Sequence, residues 1–213
     1  MILHILTAMT RPQNLPKMAE SLIPAAAAGV ELTWHFGYDL DRKHVAGQAV
    51  KNRLLDTITA PDDWVWILDD DNTAHPDFFR RLAETVAANP SVRMIACTQI
   101  APSGPCRSVS RDSLKACRID AAQAVIRRDA VGQHRLREIY AGDSHWIEKI
   151  ADAFSRTRSR TSTRTSSITT GCDRSNFERA DSRSWRWADA QANAYDAKNA
   201  VAFFFFSISP CCF

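Results

Sequence analysis

The chain has 213 residues, which suggests one domain of about 150 residues with an appendage. Hydrophobic residues make up 45% and charged residues 24%, which excludes a wholly disordered, collagenous or coiled-coil chain. The net charge is +3, but residues 1–154 hold 18 Lys and Arg against 19 Asp and Glu, or −1, so this larger part gives no electrostatic case for nucleic-acid binding.

Strand and helix patterns alternate along the first hundred residues. Continuous apolar runs predict strands at residues 2–7, 30–36, 64–68 and 92–97. Apolar side chains at helical spacing predict helices between them, at residues 15–23, 45–58 and 78–86. Because such alternation is typical of right-handed βαβ units, the predicted class is α/β, with a mostly parallel sheet and flanking helices.

The pattern changes after residue 100. Residues 101–118 are expected to form a loop, and a strand pair is predicted around residues 118–120 and 124–126. An amphipathic helix is predicted to open at residues 140–143. Residues 155–167 contain only Ser, Arg and Thr, which cannot supply a core.

Composition also divides the chain at residue 154. Leucine occurs 12 times in residues 1–154 and never in residues 155–213, where the charge is 9 Lys and Arg against 5 Asp and Glu, or +4. The last residues include an aromatic run of a kind that promotes aggregation. We therefore expect a domain over 1–154, incomplete at its C-terminal end, and a disordered or frame-shifted, non-native tail over 155–213. The alternative is a basic tail that contacts a membrane or a phosphorylated partner.

Neither membrane nor disulfide signals are found. No run approaches the roughly 18 apolar residues that cross a bilayer, and residues 1–10 lack the features of a secretory signal. The six cysteines show no CxxC spacing, which supports neither a zinc site nor a disulfide framework. We therefore expect a cytoplasmic protein with no transmembrane segment and with reduced thiols.

The strongest chemical signal is Asp69-Asp70-Asp71, directly after the third predicted strand. Three adjacent carboxylates repel one another, so they need a cation or hydrogen-bond donors. In an extended segment Asp69 and Asp71 point the same way and can face one Mg²⁺ or Mn²⁺ while Asp70 faces elsewhere. The alternative is a solvated acidic turn that caps the following helix.

Polar side chains also follow the first two predicted strands. Thr10 and Arg11 come after the first strand, and Asp39 and Asp41 come after the second. Because ligands of open α/β sheets bind beyond the carboxyl ends of the strands, we expect these residues to lie beside the Asp triplet.

The sequence resembles GT-A glycosyltransferases, family 2-like, over about residues 1–152. Three segments carry the resemblance: the strand end at Thr10-Arg11-Pro12, the helix GQAVKNR at 47–53 and the segment WVWILDDDN at 64–72. The resemblance implies a nucleotide-diphosphate sugar as donor and Mn²⁺ or Mg²⁺ as cofactor. Its acidic motif implies that Asp71, with Asp69, binds this metal and that Asp70 contacts the ribose or the sugar.

Further roles follow from the same resemblance. Thr10 and Arg11 are implied to lie by the nucleotide, and Asp39 or Asp41 by the base or ribose. Lys51 and Asn52 are implied to contact the nucleotide, with Lys51 aimed at the diphosphate, although a solvated helix face is the alternative for both.

Asp143 is the candidate general base, at a position that suits a helix N-cap equally well. It would deprotonate an acceptor hydroxyl in a metal-dependent, inverting sugar transfer. One alternative is a nucleotidyltransferase, although no Gly-rich phosphate loop follows the first strand. Another is a non-catalytic, decayed paralogue that only binds a nucleotide-sugar. The donor sugar, the acceptor and the oligomeric state are left open.

Overall fold

A computed structural model describes residues 1–39, 45–101, 104–107, 109 and 114–159, together with three short segments at 194–196, 201–204 and 208–210. The strands of these residues are β1 (Ile2–Met9), β2 (Glu31–Tyr38), β3 (Trp64–Ile67), β4 (Asn72–Ala74), β5 (Met94–Cys97), β6 (Gln99–Ala101), β7 (Gly104–Arg107), β8 (Ala124–Arg127), β9 (Ala194–Asp196), β10 (Val201–Phe204) and β11 (Ile208–Pro210). The helices are α1 (Leu15–Leu22), α2 (Pro24–Ala27), α3 (Gln48–Asp56), α4 (Phe78–Ala88), α5 (Arg128–Val131) and α6 (Gly142–Ser159).

A mixed sheet lies at the centre of the fold, with its strands in the order β2-β1-β3-β8-β5-β10-β9. Strand β1 pairs in parallel with both β2 and β3, and β10 pairs in parallel with β5. Strand β8 runs antiparallel to its neighbours β3 and β5. The predicted α/β class, with a mostly parallel sheet and flanking helices, is confirmed.

Alternate residues of the central strands contribute side chains to two hydrophobic clusters, one on each face of the sheet. Trp64 and Trp66 of β3 pack into the first cluster, which also holds buried residues of α1, α2 and α4. Val65 and Ile67 pack into the second cluster with residues of α3 and α6. This alternation follows from the period of two along a strand. Polar residues that follow β1 and β3 lie outside the clusters' central strands and line the site described below.

The predicted strand pair near residue 120 is wrong in its first member. Residues 121–123 form a single 3₁₀ turn, and Asp120 caps it by accepting a hydrogen bond from the Ala122 amide at 2.9 Å. The side chain of Gln123 in turn accepts a hydrogen bond from the Asp120 amide at 3.0 Å. This reciprocal pair is a capping box, which stabilises a helical start rather than a strand.

The C-terminal region contributes one helix and three short strands to the described structure. Helix α6 continues through Ser159, β10 pairs with β5, and β11 pairs with β4. Among the described residues, no helix is both long and apolar enough to cross a membrane. Among the residues whose burial the structure describes, which end at Phe154, the buried members of both hydrophobic clusters begin at Leu3.

A chain stopped after Ser159 is therefore expected to fold. It keeps α6 whole and retains every side chain that the structure describes in the two clusters, so its thermal midpoint should stay within about 5 °C of the full chain. Calorimetry and circular dichroism of the two proteins measure this. A truncated chain that is unfolded or insoluble would show that the native domain needs β10 along the edge of β5.

Candidate functional site

Two adjoining pockets open beyond the carboxyl ends of β1 and β3. The first, which we call the triplet pocket, has a volume of about 290 Å³, and its walls include residues 69–71. The second, which we call the Asp143 pocket, has a volume of about 230 Å³ and is named after the candidate base on its wall. Ala46 and Asp69 line both pockets, so the two cavities share a wall.

Asp70 ties the end of β3 to the end of β1. Its carboxylate is 1% exposed and accepts hydrogen bonds from the amide of Thr10 at 2.6 Å and from the Thr10 hydroxyl at 2.9 Å. Arg11 donates three more, from its amide at 2.6 Å, from Nε at 3.0 Å and from Nη2 at 2.6 Å. Burial would raise the pKa of Asp70, but the hydrogen bonds from Arg11 and Thr10 outweigh it and lower the pKa below its ordinary value.

Asp70 holds the two loops together, and its contact with ribose or sugar, which the resemblance implies, stays a prediction. It borders the triplet pocket, but its oxygens are engaged by the neighbouring loop. Asn14 adds a second tie, since its side-chain amide donates to the Asp70 carbonyl at 2.7 Å and makes no cap bond to α1. Asn14 therefore links the two loops.

Arg11 joins Asp70 to Asp71. Its Nη2 lies 2.9 Å from Asp71 Oδ2, and the side chain of Asp71 is 39% exposed in the triplet pocket. Burial would lower the pKa of Arg11, but its hydrogen bond to Asp70 and the charges of both carboxylates raise the pKa above its usual value. The guanidinium is therefore a fixed positive charge in the wall of the triplet pocket.

Lys51 neutralises Asp69, the third carboxylate of the triplet, from a buried position. Its ammonium lies 2.5 Å from Asp69 Oδ1, and its side chain is 2% exposed. Burial would lower the pKa of Lys51, but Asp69 and, more weakly, Asp143 and Asp120 raise it above the ordinary value. Lys51 lines neither pocket, so in this structure it acts on the site through Asp69 instead of facing a ligand directly.

Asp69 and Asp71 offer oxygen donors of the kind that a divalent cation prefers, although protein cations already contact them. The side chains of Asp69 and Asp71 are 31% and 39% exposed, and both line the triplet pocket. Within the described ranges, no group of three or more His, Cys, Asp or Glu side chains is arranged to hold a metal ion. Such an ion would therefore take these two carboxylates and complete its shell with water and phosphate oxygens, as Mg²⁺ usually does.

A strained turn forms the wall that the pockets share. Ala46 and Gly47 both adopt left-handed backbone conformations, with φ of 50° and 64°. A Cβ at Gly47 would lie 2.3 Å from Cβ of Ala8 on β1, so no larger residue fits there without displacing the turn. The helix predicted over residues 45–58 begins only at Gln48, and Gly47 is the sequence signal for the turn that precedes it.

Asp143, the candidate base, lines the second pocket. It lies in the first turn of α6, and its Oδ2 accepts a hydrogen bond from the Ala121 amide at 3.1 Å. Asp69 and Asp120 line the same pocket. The structure thus places Asp143 in the cavity next to the triplet, across the wall that Asp69 shares.

The other predicted site residues have three different placements. Asp39 is 7% exposed and lines the triplet pocket, as do Thr10 and Arg11. Asn52 lines neither pocket, because its amide donates to the Leu136 carbonyl at 2.8 Å and accepts from the Leu136 amide at 2.9 Å. Asp41 lies outside the described residues.

Comparison of the fold with solved structures identifies its class. The chain is similar to S. aureus TarS 1–349 in complex with UDP-GlcNAc, with a TM-score of 0.51, 10% identity and coverage of 68% of this chain and 52% of that chain. It is also similar to TarS 1–349 alone (TM-score 0.49, 9% identity, 70% and 54% coverage) and to a glycosyltransferase involved in the glycosylation of the major capsid of PBCV-1 (0.41, 12%, 61% and 61%). No protein-family model and no curated protein sequence matches the chain.

The protein therefore has a GT-A-like glycosyltransferase fold, as the sequence predicted. The likeness shows the fold alone, because the identities lie between 9% and 12%. The chain spans about half the length of the TarS fragment and 61% of the capsid-glycosylating enzyme.

Proposed function

We propose that the protein transfers a sugar from a nucleotide-diphosphate sugar to an acceptor hydroxyl. The observation that carries this proposal is the wall shared by the two pockets. The acidic triplet faces one cavity, the candidate base Asp143 faces the other, and Asp69 borders both. A donor in the first cavity and an acceptor in the second would meet at Asp69.

The triplet pocket suits the donor. Its position beyond the carboxyl ends of parallel strands is where open α/β sheets bind ligands. Arg11 supplies a fixed positive charge for phosphate oxygens, and the buried residue Asp39 lies in the same wall, where it would contact the ribose or base. The similar TarS structure is a complex with UDP-GlcNAc, which supports a nucleotide-sugar as donor here.

Asp143 would serve as the general base in the second pocket. It would take the proton of the acceptor hydroxyl as that oxygen attacks the anomeric carbon. The bond between the anomeric carbon and the diphosphate oxygen would break in the same step, with inversion, and the diphosphate would leave. Arg11 lies in the donor wall, where its charge would stabilise the leaving group.

Asp69 and Asp71 would hold a Mn²⁺ or Mg²⁺ ion in the triplet pocket. When bound, the ion would neutralise negative charge on the diphosphate. The chain's own residues prepare this wall, since Asp70 fixes the loop, Lys51 holds one oxygen of Asp69, and Arg11 holds one oxygen of Asp71.

A nucleotide-sugar panel tests the proposal directly. The full chain is incubated with UDP-, GDP-, dTDP- and CMP-sugars, with and without Mn²⁺, and both nucleotide release and the thermal shift are measured. Release from one donor class together with a thermal shift supports a transferase. A shift without release supports the non-catalytic alternative, and the absence of both contradicts any nucleotide-sugar function.

Asp71→Asn is expected to abolish the Mn²⁺-dependent part of nucleotide-diphosphate binding, because the amide keeps the shape but removes the charge. The measurement is a titration of UDP with and without Mn²⁺. Asp62→Asn is the matched control, since Asp62 is 87% exposed and precedes β3 at the opposite end from the triplet. Equal Mn²⁺-dependent binding by Asp71→Asn and wild type would contradict the metal assignment.

A further inference from the structure

We propose that Gln48 and Asn52 are positioning residues for Asp143, the candidate base. Both lie on α3, one helical turn apart, and both bind the connecting segment between α5 and α6, residues 132–141. The inference rests on the proposed function and deepens it, because it names the side chains that would hold the base in place relative to the donor. Neither residue is proposed to touch the reacting atoms.

Asn52 holds the middle of the connecting segment through both backbone groups of one residue. Its Nδ2 donates to the carbonyl of Leu136 at 2.8 Å, and its Oδ1 accepts from the amide of Leu136 at 2.9 Å. Leu136 is buried, so the side chain of Asn52 takes the place that a neighbouring strand or helix would otherwise have as its hydrogen-bond partner. Two hydrogen bonds in opposite directions fix both the distance of the segment from α3 and its orientation.

Gln48 holds the end of the connecting segment, one turn earlier on the same face of α3. Its Nε2 donates to the carbonyl of Ile139 at 3.1 Å, and the same carbonyl accepts from the amide of Gly142 at 3.0 Å. Gly142 is the first residue of α6, and a Cβ there would lie 2.4 Å from Oε1 of Gln48. The buried side chain of Gln48 therefore packs directly against the start of the helix that carries Asp143.

The first turn of α6 also has contacts that do not involve α3. Oδ2 of Asp143 accepts from the amide of Ala121 at 3.1 Å. Oγ of Ser144 accepts from the amide of Cys117 at 2.9 Å and donates to the carbonyl of Ala141 at 2.9 Å. Because these bonds are independent of α3, the loss of a contact from α3 should displace the first turn of α6 without unfolding it.

The same helix holds the wall that the two pockets share. The ammonium of Lys51, the residue before Asn52, lies 2.5 Å from Oδ1 of Asp69, and Asp69 lines both pockets. Helix α3 thus contacts Asp69 on one side and the segment that precedes Asp143 on the other. A single helix would then set the distance between the donor wall and the base, and catalysis is sensitive to shifts of about 1 Å in such distances.

A purely structural role is the alternative for both residues. Asn52 satisfies two backbone groups whether or not the chain catalyses a reaction, so a loss of stability in a variant would agree with either role. The two roles differ in what they predict for the turnover of a folded variant.

The experiment measures nucleotide release by wild type, Asn52→Ala and Gln48→Leu, with the donor that wild type turns over in the nucleotide-sugar panel. Both variants are expected to lower kcat about tenfold. The KM for the donor and the affinity for UDP should stay unchanged, because neither side chain lines the triplet pocket. Asp56→Asn is the matched control, since Asp56 lies one turn further along α3, is 56% exposed and contacts the same segment through Arg135. Its kcat should equal that of wild type, as expected for an exposed ion pair.

A double-mutant cycle separates the two roles. If Asn52 acts through Asp143, adding Asn52→Ala to Asp143→Asn should cause no further loss of kcat, because the base is already absent. A structural role would produce the same loss in both backgrounds. Equal losses in both backgrounds, or a normal kcat in either folded single variant, overturn the inference.

Thermal midpoints show which of these variants are folded. Gln48→Leu leaves the carbonyl of Ile139 its hydrogen bond from Gly142, so this variant is expected to fold and can replace Asn52→Ala in the cycle. Unfolding of both variants would make the two residues structural and would also overturn the inference.

Different outcomes distinguish this inference from the proposed function. A wild type that releases no nucleotide, or an Asp143→Asn variant with normal kcat, removes the proposed mechanism and this inference with it. A loss of kcat in Asp143→Asn, combined with normal kcat in Asn52→Ala and Gln48→Leu, retains the proposed function and removes only the positioning role.

Discussion

Replacing Asp143 with Asn is expected to lower sugar transfer about 100-fold or more while leaving donor binding intact, because the amide cannot accept the acceptor's proton. The fold should survive, since the Asn oxygen can still accept the hydrogen bond that Asp143 takes from the Ala121 amide at 3.1 Å. Steady-state transfer, UDP affinity and the thermal midpoint are measured on the same preparations.

Two further variants make the Asp143 test specific. Asp143→Ala removes both the base and the hydrogen bond to Ala121, so it should match Asp143→Asn in turnover and be the less stable of the two. Asp152→Asn changes a half-exposed carboxylate on the same helix and should have normal turnover. Normal turnover in Asp143→Asn, or an Asn variant that unfolds, would make Asp143 a structural residue and would remove the base from the proposed mechanism.

Much of the parallel half of the fold was predictable because its signals are local. Apolar runs identified β1, β2, β3 and β5, and helical spacing identified the helices that cover them. The antiparallel direction of β8 was not predictable, since it depends on its pairing with β3 and β5, which lie far from it in sequence. The capping box at Asp120 was visible as an Asp followed three residues later by Gln, and it favoured a helical turn over the predicted strand.

The residues of the site were easier to find than their contacts. The sequence identified the triplet and the need to neutralise it, but Asp70 does not face away from Asp71, because Nη2 of Arg11 contacts both carboxylates. It could not show that Lys51 and Arg11 supply the neutralising charges, because those contacts join residues far apart in the chain. The contact of Asn52 was equally unpredictable, since its partner, Leu136, lies 84 residues away.

Asp70→Asn is expected to be the most damaging single change in the triplet, because Asp70 is the most buried of the three carboxylates. Asp70 accepts five hydrogen bonds from Thr10 and Arg11, and an amide places an NH₂ group against some of those donors. We expect a loss of about 2 to 3 kcal/mol in the free energy of unfolding, less than for a fully buried pair because Arg11 is 28% exposed. Urea unfolding at pH 7 measures it.

The pH dependence gives the same prediction an independent check. The pKa of Asp70 is lower in the folded than in the unfolded chain, so its contribution is fully present above the unfolded value of about 4 and is lost as pH falls through the folded value. Asp70→Asn cannot titrate at this position. The stability difference between wild type and the variant should therefore be largest near pH 7 and shrink below about pH 4.

Asp77→Asn is the control for the Asp70 experiment. Asp77 also pairs with an arginine, Arg80, but both side chains are about half exposed, and exposed pairs of this kind contribute little to stability. Its unfolding curve should overlay that of wild type, whereas Asp70→Asn should lose both stability and UDP binding, because Arg11 and Thr10 would no longer be held in the donor wall. A stable Asp70→Asn variant that binds UDP normally would contradict this prediction. It would mean that Asn14 and the sheet hold the loop without the hydrogen bonds of Asp70.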